Sequence, residues 1–209
     1  MTDQEIETRN KLIQAAADLL EEEPEVSKIT ARRISERAGV ALGAINYHFQ
    51  SKDNLLNEAA TQLVGEAVSG WYQPFQHQDM EAVTRLKNLL KDSSRLAAQH
   101  PRSMGVTMRY ALLHDEFSAP ALLLPLLREI FGNHKSEVEL RLLAFQLVVS
   151  QQVAALRPEA FRRYSGIDLF DDAQREAAME TMVNNLVSQP HGREATDKPA
   201  KKKKKGNKK

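Results

Sequence analysis

Apolar side chains recur at three- and four-residue steps along nearly the whole chain. No segment alternates with the two-residue period of a half-buried strand between hairpin turns. The pattern predicts an all-α protein. Over 3–22, Ile6, Leu12, Ile13, Ala16, Leu19 and Leu20 fall on one helical face, and Pro24 in an acidic run ends it. A second helix of about two turns is predicted after Thr30, a competent N-cap, carrying Ile34 and Ala38 inward and stopping at Gly39. A third short helix covers 42–48, with Ile45 and Phe49 inward. Ser51 then caps a longer fourth helix, reaching to about residue 70, that can link two lobes. Longer amphipathic helices follow at 79–99, 102–114, 119–132, 136–156 and 172–188. Pro101, Pro120 and Pro158 mark breaks or first-turn positions, and Pro125 is expected to kink or shorten its helix. From residue 188 onward almost no bulky apolar residue remains, which predicts a disordered tail.

Two short helices across the turn Gly39-Val40-Ala41, followed by a capped helix, have the spacing of a helix-turn-helix. Spacing alone is shared with many helical corners. The residues are more specific: TARRISERAGVALGAINYHFQSKDNLL, at 30–56, closely resembles the signature of the TetR family. The resemblance is strong over about 5–60, and the remainder matches only the family's general plan. It implies a three-helix helix-turn-helix DNA-binding domain over 1–50 and a helical ligand-binding and dimerisation domain over 51–188, while composition sets apart a disordered Lys-rich tail over 189–209. The helix from 51 to about 70 joins the first two. Two residues depart from the signature. Ala41 stands where a Ser or Thr N-cap is usual, at a cost of about 1 kcal/mol in cap stability. Asn46 stands where an aromatic residue is common, and Asn can pair bidentately with adenine.

Steps of 100° per residue from Ile45 and Phe49 put Gly43 and Tyr47 opposite the core, with Ala44 and Asn46 on the flanks. Leu42, at the helix N-terminus, can also reach a base edge. This face carries no charge, so affinity must come from neighbours. The resemblance assigns phosphate contacts mainly to Thr30, Arg32, Arg33, Tyr47, His48 and Lys52, with Arg32 also within reach of a base. The plainer alternative makes Thr30 only a cap, Arg33 and Arg37 a solvated face, and His48 a packing group.

Charge sharpens the point. The formal net charge is +1, but the final twelve residues hold eight of the 29 basic side chains; the preceding 197 carry 21 basic against 28 acidic, or −7. An acidic body confines any phosphate contact to a local patch. The tail is either a solvated terminus or an arm adding sequence-independent phosphate contacts. With no cysteine among 209 residues, disulfides and thiolate metal sites are out of reach, which suits a cytoplasmic setting. The polar, acidic N-terminus and the lack of an 18-residue apolar run predict neither a signal peptide nor a membrane span. The six histidines show no metal-ligand spacing, and no phosphate-cradling glycine loop or serine elbow occurs, so no enzyme, metal or cofactor is expected.

The resemblance further implies a small-molecule pocket after residue 70. Trp71, Phe75, Met104, Met108, Tyr110, His114 and Phe117 are candidate lining groups, with ordinary core packing as the alternative for each. It also implies that the helices at 136–156 and 172–188 pair with their copies as a four-helix bundle. Leu140, Leu143, Ala144, Leu147, Val148, Gln151 and Ala154 offer an apolar face on the first, and Ala177, Ala178, Met182, Val183 and Leu186 on the second. A homodimer also suits a palindromic double-stranded operator, because one short helix reads few base pairs. The expected function is a cytoplasmic repressor, nucleoid-associated when bound, that an unidentified ligand releases from DNA. The alternative is a DNA-organising or partner-binding protein on the same fold without an effector.

Overall fold

The structure is a computed structural model and describes residues 2–69, 80–115 and 117–187. Helix α1 (Asp3–Glu22) starts from a capping box: the Thr2 hydroxyl accepts from the Glu5 amide at 3.3 Å and the Glu5 carboxylate accepts from the Thr2 amide at 2.7 Å. A short 3-10 turn (Val26–Lys28) leads to α2 (Ala31–Ala38), where the Thr30 hydroxyl accepts from the Arg33 amide at 3.2 Å. Gly39 ends α2 at φ +65°, in the left-handed region that a Cβ penalises.

Helix α3 (Gly43–Phe49) has no side-chain cap, in line with the missing hydroxyl at Ala41. Its first turn closes instead through backbone bonds from Ala44 to Ala41 and from Ile45 to Leu42, at 3.0 and 3.3 Å. In α4 (Lys52–Ser69) the Ser51 hydroxyl accepts from the Asn54 amide at 3.1 Å. The apolar faces of α1 to α3 and the first half of α4 close one core, with Leu12, Ala16, Ile29, Ile34, Leu55, Ala59 and Ala60 at 0% exposure. The linking helix is therefore structurally part of the N-terminal lobe over its first two turns.

The second lobe comprises α5 (Ala82–Gln99), α6 (Pro101–His114), α7 (Ser118–Ala121), α8 (Leu124–Phe131), α9 (Glu137–Leu156), α10 (Pro158–Ser165) and α11 (Asp172–Val187). Its core gathers Leu86, Leu90, Leu127, Leu147, Met179 and Val183 from α5, α8, α9 and α11. A smaller cluster of Val64, Leu96, Ala97, Met104 and Met108 joins α4 to α5 and α6. Pro101 and Pro158 occupy first-turn positions, where a missing N–H costs nothing.

Three features differ from the reading of periodicity. The helix expected over 119–132 is two: Pro125 lies in the first turn of α8 rather than kinking a continuous helix. Helix α10, whose eight residues end at Gly166 with φ +76°, is too short to stand out in an apolar pattern. In α9, Leu140, Ala144, Leu147, Gln151 and Ala154 turn into the lobe's own core, so they are not the free face expected for pairing with a second copy. The same holds for Ala178 and Val183 of α11. The exposed apolar stripe of α9 is Val138, Leu142, Phe145 and Val153, at 41 to 67% exposure. The lobe's interior outcompetes a partner for the other face because α5 and α8 pack there within the chain.

Candidate nucleic-acid interface and ligand cavity

Ile45 and Phe49 anchor α3 in the first core, and the Arg9 guanidinium lies over the Phe49 ring at 5.1 Å while pairing with Glu58 of α4. The opposite face is then open. Gly43, Asn46 and Tyr47 are exposed, Tyr47 by 72%, and Leu42 projects beside them. Ala44 differs from expectation: it is half-buried with its methyl group against the core, so it is not part of the outward surface.

The flanking polar groups fall into two classes. Some are available at the surface. Arg32 is exposed and, among the described residues, paired only with Glu36, one turn on, at 2.7 Å. Thr30 is exposed at the start of α2, and its hydroxyl also caps that helix. Others hold the corner together. Arg33 bridges the Glu23 carboxylate at 2.9 Å and the Lys28 carbonyl at 2.8 Å. Arg37 donates to Glu22 at 2.9 Å and approaches Asp18 at 3.8 Å, so it ties α2 to α1 rather than forming a solvated face. The Lys52 amine donates to the Ile29 carbonyl at 3.2 Å. His48 is half-buried, its ring edge-on to Tyr47 with centroids 4.8 Å apart.

Sequence reasoning missed the contact between Tyr47 and Glu5. The phenol donates to the Glu5 carboxylate at 2.7 Å, across 42 residues of chain. The Thr2 backbone bond, then the Tyr47 bond, hold the Glu5 carboxyl below its usual range, and the carboxylate in turn pushes the Tyr47 phenol up.

In the second lobe, Met104 and Met108 of α6 line a cavity of about 310 Å³ together with Leu89, Leu90, Leu122, Leu123 and Val148. Its polar groups are Thr61, Ser93, Thr107, Gln151 and Gln152, and among the described residues no charged side chain lines it. Gln151 is held in place, donating to the Leu90 carbonyl at 3.1 Å and the Ser93 hydroxyl at 2.7 Å. The aliphatic lining was invisible as such in the sequence, since leucines on amphipathic helices look the same whether they face a cavity or a core.

Three of the other pocket candidates, Tyr110, His114 and Phe117, are not among the residues lining this cavity. Tyr110 and His114 stack on each other, centroids 4.6 Å apart, on a different face of α6, because residue 110 lies about 200° around the helix from Met108. Phe117 is half-exposed and packs edge-on against Phe145 of α9, with centroids 5.4 Å apart. Trp71, Phe75 and the Lys-rich tail lie outside the described residues. Among the described residues, no group of three or more His, Asp or Glu could hold a metal ion, and no helix is long and apolar enough to cross a membrane.

Helix α6 grips the N-terminal lobe at two points. Near its start, Arg102 donates to the carbonyls of Leu20, Glu21 and Glu23 at the C-terminal end of α1, at 2.5 to 3.4 Å. Near its end, the Tyr110 hydroxyl donates to Asn54 Oδ1 at 3.0 Å.

Comparison with known proteins agrees with this architecture. Residues 12–59 match the family described as bacterial regulatory proteins, tetR family. The fold superposes on Thermus thermophilus FadR, a TetR-family transcriptional repressor solved with lauroyl-CoA, with a TM-score of 0.66 at 19% identity, covering 92% of this chain and 100% of that one. A TetR-like transcriptional regulator from Rhodococcus sp. RHA1 superposes with a TM-score of 0.57 at 14% identity, over 87% and 97%. At these identities the likeness establishes the fold. Among curated sequences, nucleoid occlusion factors SlmA from Aliivibrio fischeri are 23% identical over 107 residues, 51% of this chain. The chain spans about half (54%) of the length of these curated relatives.

Proposed function

We propose that this chain, whose residues 12–59 match the tetR family and whose fold is that of a TetR-family repressor, is a sequence-specific transcriptional repressor released from its operator by a small molecule. The observation that carries the reading is the outward face of α3. An uncharged surface of Leu42, Gly43, Asn46 and Tyr47 is exposed, the Tyr47 phenol held by Glu5 of α1, with Arg32 and Thr30 at its edge. Such a face reads bases by hydrogen bonding and apolar contact, while the flanking groups neutralise or bond phosphates. Arg33, His48 and Lys52 contribute through the same rim, Arg33 and Lys52 once their present bonds are exchanged for phosphate.

Two copies are needed to read a palindromic operator. The exposed stripe of Val138, Leu142, Phe145 and Val153 on α9, beside Met182 and Leu186 of α11, supplies an apolar surface for that homodimer. The effector enters the cavity behind α6. Its uncharged lining suits a neutral molecule or the apolar portion of a larger one. Because α6 holds both α1 and α4, a ligand that shifts α6 changes the setting of the two α3 helices. A coupling of about 1 to 3 kcal/mol is enough for roughly 5- to 150-fold release. The setting is cytoplasmic, with the protein on the nucleoid when bound to DNA.

The test is binding to labelled DNA from the gene's own upstream region across a salt series, using the intact chain and a form ending at Ser188. Saturable binding that survives unlabelled competitor supports the repressor reading, and a shallower salt slope after truncation measures the tail's share. Binding only to bulk DNA, lost with the tail, would instead favour a DNA-organising role, a reading that the partial likeness to nucleoid occlusion factors keeps in view.

A further inference from the structure

Helix α6 borders a second recess on the face turned away from the core cavity. It lies between the lobes and holds about 380 Å³, with the 3-10 turn after α1 and the start of α4 on one side and α6, α9 and α10 on the other. Its lining is mostly apolar, with Leu56, Val106 and Leu156 among the contributors. Gly105 leaves it open: a Cβ there would meet only Leu156 Cδ2, at 4.0 Å.

The charge on this recess is opposite to that of the body. Among the described residues, Lys52, Arg102 and Arg109 line it against a single carboxylate, Asp53, although the first 197 residues sum to −7. Two of the cations are already engaged, Arg102 with the carbonyls ending α1 and Lys52 with the Ile29 carbonyl and, at 3.8 Å, Asp53. Arg109 is exposed and, among the described residues, has neither an ion-pair nor a hydrogen-bond partner. A guanidinium left free beside an apolar hollow is matched by a molecule with both an anionic head and an apolar body.

We propose that this inter-lobe recess is a second small-molecule site, separate from the core cavity, that takes an organic anion. Its apolar body covers Gly105 and Leu156, and its carboxylate, sulfonate or phosphate head pairs with Arg109. The site does not depend on the repressor reading, because its occupancy is measured without DNA.

The experiment compares two fluorescent probes of the same aromatic body on the full-length protein: anilinonaphthalene sulfonate, which is anionic, and phenylnaphthylamine, which is not. Arg109→Gln removes the charge and Gly105→Leu fills the hollow, while Leu122→Trp narrows the core cavity instead. Circular dichroism confirms that each variant is folded. The sulfonate's affinity is expected to fall about tenfold in both Arg109→Gln and Gly105→Leu and to hold in Leu122→Trp, with the neutral probe unaffected by Arg109→Gln. Unchanged sulfonate binding in Arg109→Gln and Gly105→Leu, or a loss in Leu122→Trp as large as theirs, would overturn the proposal.

Discussion

The hydroxyl of Tyr110 on α6 donates to Oδ1 of Asn54 on α4 at 3.0 Å, and Nδ2 of the same Asn54 donates to the carbonyl of Phe49, the last residue of α3, at 2.8 Å. One amide side chain thus connects the second lobe to the C-terminal end of α3. The backbone N–H of Asn54 is the donor to the Ser51 cap, so Asn54 serves both helices at their junction.

Removing the phenol oxygen with Tyr110→Phe should lower unfolding free energy by about 1 kcal/mol, the net worth of an ordinary hydrogen bond. Asn54→Ala should cost more, because it also strands the Phe49 carbonyl. Urea denaturation with unchanged m-values measures both. An Asn54→Ala variant no less stable than Tyr110→Phe would show that the amide bridges nothing.

The bond between Tyr47 and Glu5 makes two titrations interdependent. Glu5 is held below its ordinary value of 4.5, so the stability it adds is present above that pH and is lost as pH falls through its lowered value. Tyr47 is raised above 10.0, so its contribution is present below that pH and is lost as pH rises through the raised value. In Glu5→Gln, the Tyr47 phenol should ionise at lower pH than in the parent, as read by NMR of labelled tyrosine. Identical Tyr47 titration in both proteins would rule the contact out.

The two faces of α9 should respond differently to substitution. Leu147, 2% exposed, lies in the core, and Leu147→Ala should destabilise the fold by about 2 to 5 kcal/mol. Leu142, 56% exposed, lies on the outer stripe, and Leu142→Glu should leave the protomer folded while separating the proposed dimer. Analytical ultracentrifugation with circular dichroism distinguishes these outcomes. A folded Leu142→Glu protein that still sediments as a dimer would move the interface elsewhere.

On the proposed repressor reading, Asn46 is the polar group on the outward face of α3 that reads a base. Replacing it with alanine should cost about 1 to 3 kcal/mol in discrimination at one operator base pair per half-site and leave salt dependence unchanged. Binding to a panel of single-base operator variants checks this. A uniform loss across all variants would mean that Asn46 contacts backbone rather than base.

Much of the N-terminal lobe was legible because its signals are local. Thr30 and Ser51 cap, Pro24 stops, Gly39 permits a left-handed turn, and Ile45 and Phe49 define one side of a two-turn helix. Each acts within four residues of the structure it determines, so the chain by itself specified the corner and the outward face of α3. Ala44 was misplaced because a position on the flank of a helix is decided by how closely its neighbours approach.

The second lobe divides differently. Periodicity located α5, α6, α9 and α11 to within a few residues, since amphipathic repeats and prolines are properties of the sequence. Which apolar face meets the lobe's own core, which lines a cavity and which stays exposed was decided by tertiary structure alone. Met108 and Tyr110 are two residues apart yet face different hollows, and Leu142 and Leu147 are alike in chemistry yet lie on opposite sides of α9. The hydrophobic effect specifies that apolar area leaves water and not which surface covers it. That choice waits on helices brought together from distant parts of the chain.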